Sequence, residues 1–280
     1  MPAVEGSEHA DVTAVVPCYE QGRFLEESIG SLLAQHGGPP RIVVVDDGST
    51  DPQTLAAFEA LPPQVELVRQ ANAGLAAARN AGIARATTPL ILPLDADDRL
   101  LPDALRALRP PLDADPRLGF SYGRIRFFGD WRGELTMPPY DPFKLLYRHT
   151  IGATALVRRE LYEQTGGYDM AFAGYEDWEL WLHALAGGWR GRRVDVVALE
   201  YRRHAGTIYA TAARPAYRRW YRALRTKHAG LYTRASRRRL AAESDLGPLG
   251  RGAYRWFWGP RPVPARLELA LHRRLWGTGR

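Results

Sequence analysis

Residues 90–98 read Leu90, Ile91, Leu92, Pro93, Leu94, Asp95, Ala96, Asp97, Asp98, an apolar run that stops at three carboxylates. Such a run is a buried strand delivering its C-terminal end to solvent, the edge at which open α/β sheets bind ligands. Asp95 and Asp97 are two apart, so in extended chain they face the same way, and in the turn that follows they can converge on one hard cation through oxygen ligands. The same acids also fit a polar turn that caps a helix starting near Pro102 and Asp103.

The elements that would hold this turn alternate. A β-branched strand is expected over 11–17, then an amphipathic helix over 21–35 with Phe24, Leu25, Ile29, Leu32 and Leu33 on one face. Gly37, Gly38, Pro39 and Pro40 break it, and a second strand over 41–45 runs into Asp46, Asp47, Gly48, Ser49, Thr50 and Asp51. A short helical segment (54–61), a strand (65–69) and an alanine-rich helix (75–86) lead to the acidic-ended strand. Strands alternating with helices argue a Rossmann-like, doubly wound, mostly parallel α/β sheet.

Beyond residue 100 the pattern loosens. It predicts a helix over 102–108, short extended pieces at 119–122 and 124–128, a Pro-rich connection at 137–142, a strand over 153–157 and a turn at 166–169. A helix follows over 175–186, with Glu176, Asp177 and Glu179 in a first turn whose dipole they complement, and then a last strand over 193–201 leading to His204. The tail offers helices at 215–231 and 265–276, with 247–264 as a linker or loop.

The 280 residues are 45% hydrophobic, enough for a real core, and the lone Cys18 excludes internal disulfides and a cysteine zinc cage. Cys18 follows a strand, where a small packed residue fits better than a nucleophile. No apolar run approaches a membrane span, and residues 1–11 are polar and acidic, so a cytoplasmic protein is expected. The net charge of +7 hides a division: residues 201–280 hold 19 Lys or Arg against 3 Asp or Glu, whereas residues 1–200 hold 19 against 28. A basic tail on an acidic body points to an anionic partner, a membrane face or a nucleic acid.

Together these pieces resemble glycosyltransferase family 2, the inverting enzymes of the GT-A fold. The resemblance rests on Val15 to Glu20, Val44 to Asp51, Asn72-Ala73-Gly74 with Ala78-Arg79-Asn80, Leu94 to Asp98, and Gly174 to Trp178, in that order across roughly residues 10–205. It implies a transferase domain over 1–205, with a nucleotide-binding half (about 10–100) and an acceptor half (101–205), followed by a basic, aromatic-rich helical extension (206–280). Pro17, Tyr19 and Glu20, Asp47, Arg79, Asp95 and Ala96 would meet the nucleotide, with Glu20 standing where the family usually has asparagine. Asp97, helped by Asp95, would hold Mn²⁺ or Mg²⁺ between the phosphates of a DXD-type site, and His204 resembles a histidine that closes over the diphosphate or joins the metal. Asp177, with Glu176 beside it, would be the base that deprotonates the acceptor hydroxyl. Trp178 and Trp181 fit either an acceptor-sugar wall or the core.

The resemblance further implies a nucleotide-sugar donor, UDP-linked by preference, and an acceptor that is a sugar or lipid-linked. The tail would then supply Arg and Lys for anionic headgroups and Tyr and Trp for the interface, a peripheral association at the inner face of the plasma membrane through residues 214–280. Other readings stand beside it: an inert nucleotide-sugar-binding module, a nucleic-acid-binding protein using Arg237, Arg238 and Arg239, and a sugar nucleotidyltransferase, which lacks here the glycine-rich, lysine-bearing loop after the first strand. The nucleic-acid reading leaves the ordered acidic motifs without a purpose.

Overall fold

The structure is a computed structural model that describes residues 6–130, 132–135, 137–203 and 214–258. Strands β1 (Val12–Cys18), β2 (Arg41–Asp46), β3 (Val65–Arg69) and β4 (Leu90–Pro93) pair in parallel in the order β3-β2-β1-β4. All seven residues of β1 are buried, because both faces are covered. Val12, Ala14 and Val16 meet Leu25, Ile29 and Leu32 of α1 (Gly22–Leu33) and Phe58 of α2 (Pro52–Glu59) in one layer. Val15 faces the other layer, where α3 (Leu75–Arg85) lies so close that a Cβ on Gly82 would sit 2.3 Å from Val15 Cγ1. Only glycine permits that approach.

The sheet continues through β5 (Arg99–Leu100), α4 (Ala104–Ala114), β6 (Leu118–Gly129), β7 (Gly133–Leu135), α5 (Pro142–Leu145), β8 (Leu156–Arg158), α6 (Arg159–Thr165), α7 (Glu176–Ala186) and β9 (Arg190–Arg203). The described strands form one nine-stranded mixed sheet, β3-β2-β1-β4-β8-β6-β9-β5, with β7 paired to β6. The doubly wound α/β expectation holds, and the second half adds the antiparallel pairings β4 with β8, β6 with β8 and β5 with β9.

Three local expectations change. α4 runs through Pro110 and Pro111 instead of ending near Leu108, because Leu112 continues the buried stripe of Leu105 and Leu108. The two extended pieces flanking Gly123 are one strand, β6, with a register shift between Tyr122 and Arg124, where a Cβ on Gly123 would stand 2.6 Å from Ala198 Cβ of β9. The stretch 247–264, expected as a linker, contains α10 (Pro248–Trp258), disguised by Gly250 and Gly252 but begun by a proline at its first turn and anchored by Tyr254 and Trp258.

The tail helices α8 (Arg214–Lys227), α9 (Arg234–Ala242) and α10 are built into the core. Tyr221, Leu224, Leu231, Leu240, Tyr254 and Trp258 share the apolar cluster of Trp178 and Trp181 of α7, and both of these tryptophans are fully buried. Core packing is thus what Trp178 and Trp181 do, and an acceptor-sugar wall built on their faces is excluded. The expected tail helix at 265–276 lies outside the described residues.

A charged lock secures α8 to α7. Glu179 is completely buried; its Oε1 lies 2.7 Å from Lys227 Nζ and 2.9 Å from His228 Nε2, and Lys227 also reaches Asp169 at 2.6 Å. Burial works to raise the Glu179 carboxyl, but His228 and Lys227 outweigh it and hold it below the usual range; burial works to lower the Lys227 amine, and Asp169 and Glu179 leave it raised. The depressed carboxyl contributes above its ordinary value of 4.5 and loses its contribution as pH falls through the folded value; the raised amine contributes below 10.5 and loses it as pH rises through its folded value. Glu179→Ala is expected to cost about 3 kcal/mol in urea unfolding near neutral pH; an unchanged midpoint would mean that aromatic packing alone docks α8.

Candidate functional site

The C-terminal ends of β1, β2 and β4 open on one edge of the parallel half. At the end of β1, Pro17 is buried in the sheet and Tyr19 is 50% exposed at the mouth. Glu20 takes a positive φ of 53°, a conformation that asparagine tolerates better than glutamate. Its carboxylate is spent on the neighbouring loop: Oε1 accepts from Thr50 N (2.8 Å) and Thr50 Oγ1 (3.0 Å), and Oε2 from Asp51 N (2.9 Å). Asp47, after β2, likewise turns inward, accepting from Gln70 Nε2 and from the backbone N–H groups of Ala73 and Gly74 at 2.7–2.9 Å. Both carboxylates therefore order the rim loops through protein donors.

After β4, exposure alternates as the spacing predicts: Asp95 and Asp97 are partly exposed, while Ala96 and Asp98 are buried. Ala96 thus faces the core and can offer a ligand only its backbone. Asp98 accepts a hydrogen bond from Arg202 N (2.8 Å), and Arg202 of β9 also donates through Nε to Asp97 O (2.9 Å) and through Nη2 to Glu27 (2.8 Å). Its guanidinium lies over the rings of Phe24 and Phe128 at 4.5 and 4.3 Å. Burial, with the charges of Asp97 and Asp95, pushes the Asp98 carboxyl well above the usual range. Among the described residues no three His, Cys, Asp or Glu side chains form a closed metal cage. Asp95 and Asp97, both partly exposed in a negative field, are of the oxygen-donor type that suits a hard divalent cation completing its shell with phosphate oxygens. His204 lies outside the described residues.

Arg79 of α3 is the junction. Only 2% exposed, it donates through Nη2 to Asp95 Oδ1 (2.6 Å) and through Nη1 to Glu176 Oε1 (2.8 Å), with Tyr168 below its guanidinium at 5.3 Å. Where the motif suggested a side chain free to approach a base or diphosphate, the structure has it bridging the acidic turn and the start of α7. Glu176 Oε2 also accepts from Gly174 N (2.6 Å), and burial raises its carboxyl.

Asp177 follows. Its Oδ1 accepts from Trp178 N (2.8 Å), and its Oδ2 lies 2.9 Å from His149 Nε2. Burial works to raise the Asp177 carboxyl, but the charge and contact of His149, with Arg79 and the Trp178 N–H, together outweigh it and the group ends below the usual range; the His149 ring, opposed by its own burial, is raised by Asp177 in return. His149 and Arg202 were not singled out by sequence reasoning. No periodicity marks His149, and Arg202 lies between the expected last strand and His204 with nothing in its spacing to single it out. Cys18 is buried with its thiol pushed up to about 12, an inert packed residue as expected.

Residues 13–176 match the family model described as glycosyl transferase family 2. Among curated relatives, the succinoglycan biosynthesis protein ExoO of Rhizobium meliloti is 35% identical over 199 residues, covering 64% of this chain and 57% of ExoO, so the chain spans little more than half of that relative's length. The structure of Staphylococcus aureus TarS 1–349 in complex with UDP-GlcNAc superposes with a TM-score of 0.65 at 18% identity, covering 87% of this chain and 70% of that one. The Pyrobaculum calidifontis mannosyltransferase PcManGT, in complex with GDP-Man and Mn²⁺, gives 0.58 at 22% identity over 96% and 83% of the two chains. At such identities the structural likeness shows the fold alone, which is GT-A. The family match over more than half of the chain, with its motifs on one edge of a GT-A sheet, places this protein in glycosyl transferase family 2.

Proposed function

We propose that the chain transfers a sugar, with inversion, from a nucleotide-diphosphate donor, UDP-linked by preference, to an acceptor hydroxyl in the synthesis of a polysaccharide, glycolipid or other glycoconjugate. The observation that carries this reading is the Arg79 bridge, which holds Asp95 of the acidic turn and Glu176, next to Asp177, on one guanidinium. The donor would lie along the β1, β2 and β4 ends, with Tyr19 free to stack on the base and the rim loops shaped by Glu20 and Asp47. Asp97 and Asp95 would hold a Mn²⁺ or Mg²⁺ ion against the diphosphate, and such an ion supplies Lewis-acid stabilisation of the leaving group.

In the transfer the acceptor oxygen bonds to the anomeric carbon on the face opposite the nucleotide. The bond to phosphate breaks, its electron pair leaves with the nucleoside diphosphate, and the acceptor's proton passes to Asp177. A carboxylate held ionised by His149, at the N-terminus of α7 where the dipole also favours the anion, is in the form that can accept it.

The acceptor reading includes a lipid-linked sugar presented at an anionic membrane surface. The described tail gives this a narrower basis than the composition promised: Tyr217, Trp220 and Tyr221 pack inward, whereas Arg218, Arg219, Arg222 and Arg225 of α8 and Arg234, Arg238 and Arg239 of α9 are exposed. No helix among the described residues is long and apolar enough to cross a membrane. Because these helices complete the core, charge reversal tests the surface more cleanly than truncation. Vesicles containing phosphatidylserine should co-sediment the protein at low salt and lose it on Arg218→Glu/Arg222→Glu/Arg225→Glu, since each basic residue near such a surface contributes about 1 kcal/mol; equal sedimentation of both proteins would remove the membrane from the account.

The donor site is tested by thermal unfolding with UDP, dTDP, GDP or CDP, each with Mn²⁺ and with EDTA, on wild type and Asp97→Ala. A nucleotide at a hundred times its dissociation constant stabilises the folded state by about 2.7 kcal/mol. One nucleotide is expected to raise the transition in a manner that needs both the metal and Asp97. No shift with any nucleotide would count against a nucleotide-linked donor and turn the reading toward a nucleic-acid-binding protein.

A further inference from the structure

His149 lies on the segment between α5 and β8, in a stretch that carries none of the family motifs. It nonetheless faces the proposed base at 2.9 Å, and its ring is packed flat against Trp178, with centroids 6.0 Å apart and planes 18° from parallel. Tyr175 closes the edge at 5.9 Å, and the Ile151 backbone supplies a hydrogen bond that favours the protonated ring. The neighbouring Arg148 points elsewhere, over Trp258 at 3.9 Å. The charged and titratable groups around His149 are therefore Asp177 and Glu176 of α7, Tyr175 before it, and Arg79 of α3, which acts on both carboxylates.

We propose that the His149 imidazolium is a positioning residue that fixes Asp177 Oδ2, so that the carboxylate meets the acceptor hydroxyl in one rotamer and in its ionised form. The proposal rests on the reading of Asp177 as the base and gives that base its partner. Asp177 is otherwise a largely buried acid beside a second carboxylate, a place where desolvation works to raise its carboxyl. Arg79 adds its charge, but its two Nη groups are engaged by Asp95 and Glu176, and it is His149 Nε2 that stands 2.9 Å from Asp177 Oδ2. The stacked Trp178, itself pinned by a 2.8 Å bond from its Nε1 to Leu145 O and stacked on Tyr217 of α8, holds the imidazole ring in place. The base is thereby tied through packed rings to the C-terminal extension.

Two readouts test this. In the intact protein, with histidine rings isotopically labelled and the His149 signal assigned by its loss in His149→Gln, His149 is expected to titrate above the ordinary 6.5 and to fall back in Asp177→Asn. In donor turnover followed by nucleotide release, His149→Gln should lower kcat about tenfold, leave the donor KM unchanged and move the acid limb of the pH profile up by about one unit or more. His149→Lys, which restores a cation, should bring the limb back down. A His149 that titrates at its ordinary value, or an acid limb that stays in place in His149→Gln, would overturn the proposal. A raised titration together with full activity of Asp177→Asn would show the ion pair to be present but the base assignment wrong, and would remove the proposal with that assignment.

Discussion

The architecture of the site depends on a buried cation. Removing a guanidinium from water is costly, and Arg79 is buried almost completely. Burial works against its charge, yet the Asp95 and Glu176 carboxylates, with the Tyr168 ring against the guanidinium, more than restore it. Two carboxylates from distant segments must then stay within hydrogen-bond reach of one side chain, and that requirement sets the distance between the acidic turn after β4 and the start of α7. Arg79 meets the two acids through two separate Nη groups, and a shorter contact point such as a lysine ammonium would have to draw both acids onto one atom and so move the turn or the helix. A second cation, Arg202, braces the acidic turn from β9, so the turn is gripped from both halves of the sheet.

Much of the parallel half was legible because its signals are local. Continuous apolar runs gave β1, β2 and β4, and the two-residue spacing of Asp95 and Asp97 gave their common exposure against buried Ala96 and Asp98. What escaped was non-local. Asp47 and Glu20 look like free acids in the sequence; only the fold brings the N–H groups of residues 73, 74, 50 and 51 to them. His149 has no neighbour in sequence that announces Asp177. α10 hid behind its two glycines, and α4 behind two prolines whose cost the burial of Leu112 offsets.

The tail shows how composition can mislead. Its arginines and aromatics, counted together, suggested one amphipathic surface. In the described part they are divided: the rings of Tyr217, Tyr221, Tyr254 and Trp258 complete the core over α7, and Arg218, Arg219, Arg222, Arg225, Arg234, Arg238 and Arg239 are left on the outside. Trp256, 77% exposed, and Leu249 are the exceptions on α10. The extension thus supports α7, the helix that bears Asp177, through Tyr217 stacked on Trp178 and through the Glu179 lock.

The central claim is that one guanidinium holds the donor-side turn and the base-side helix in register. The most direct test is Arg79→Lys, compared with wild type for thermal stability and for nucleotide release from the donor identified by the unfolding screen. The account predicts a folded protein of lowered transition temperature whose turnover falls at least about 100-fold, because misplacing reacting groups by about 1 Å costs that much. Wild-type stability and turnover in Arg79→Lys would contradict it.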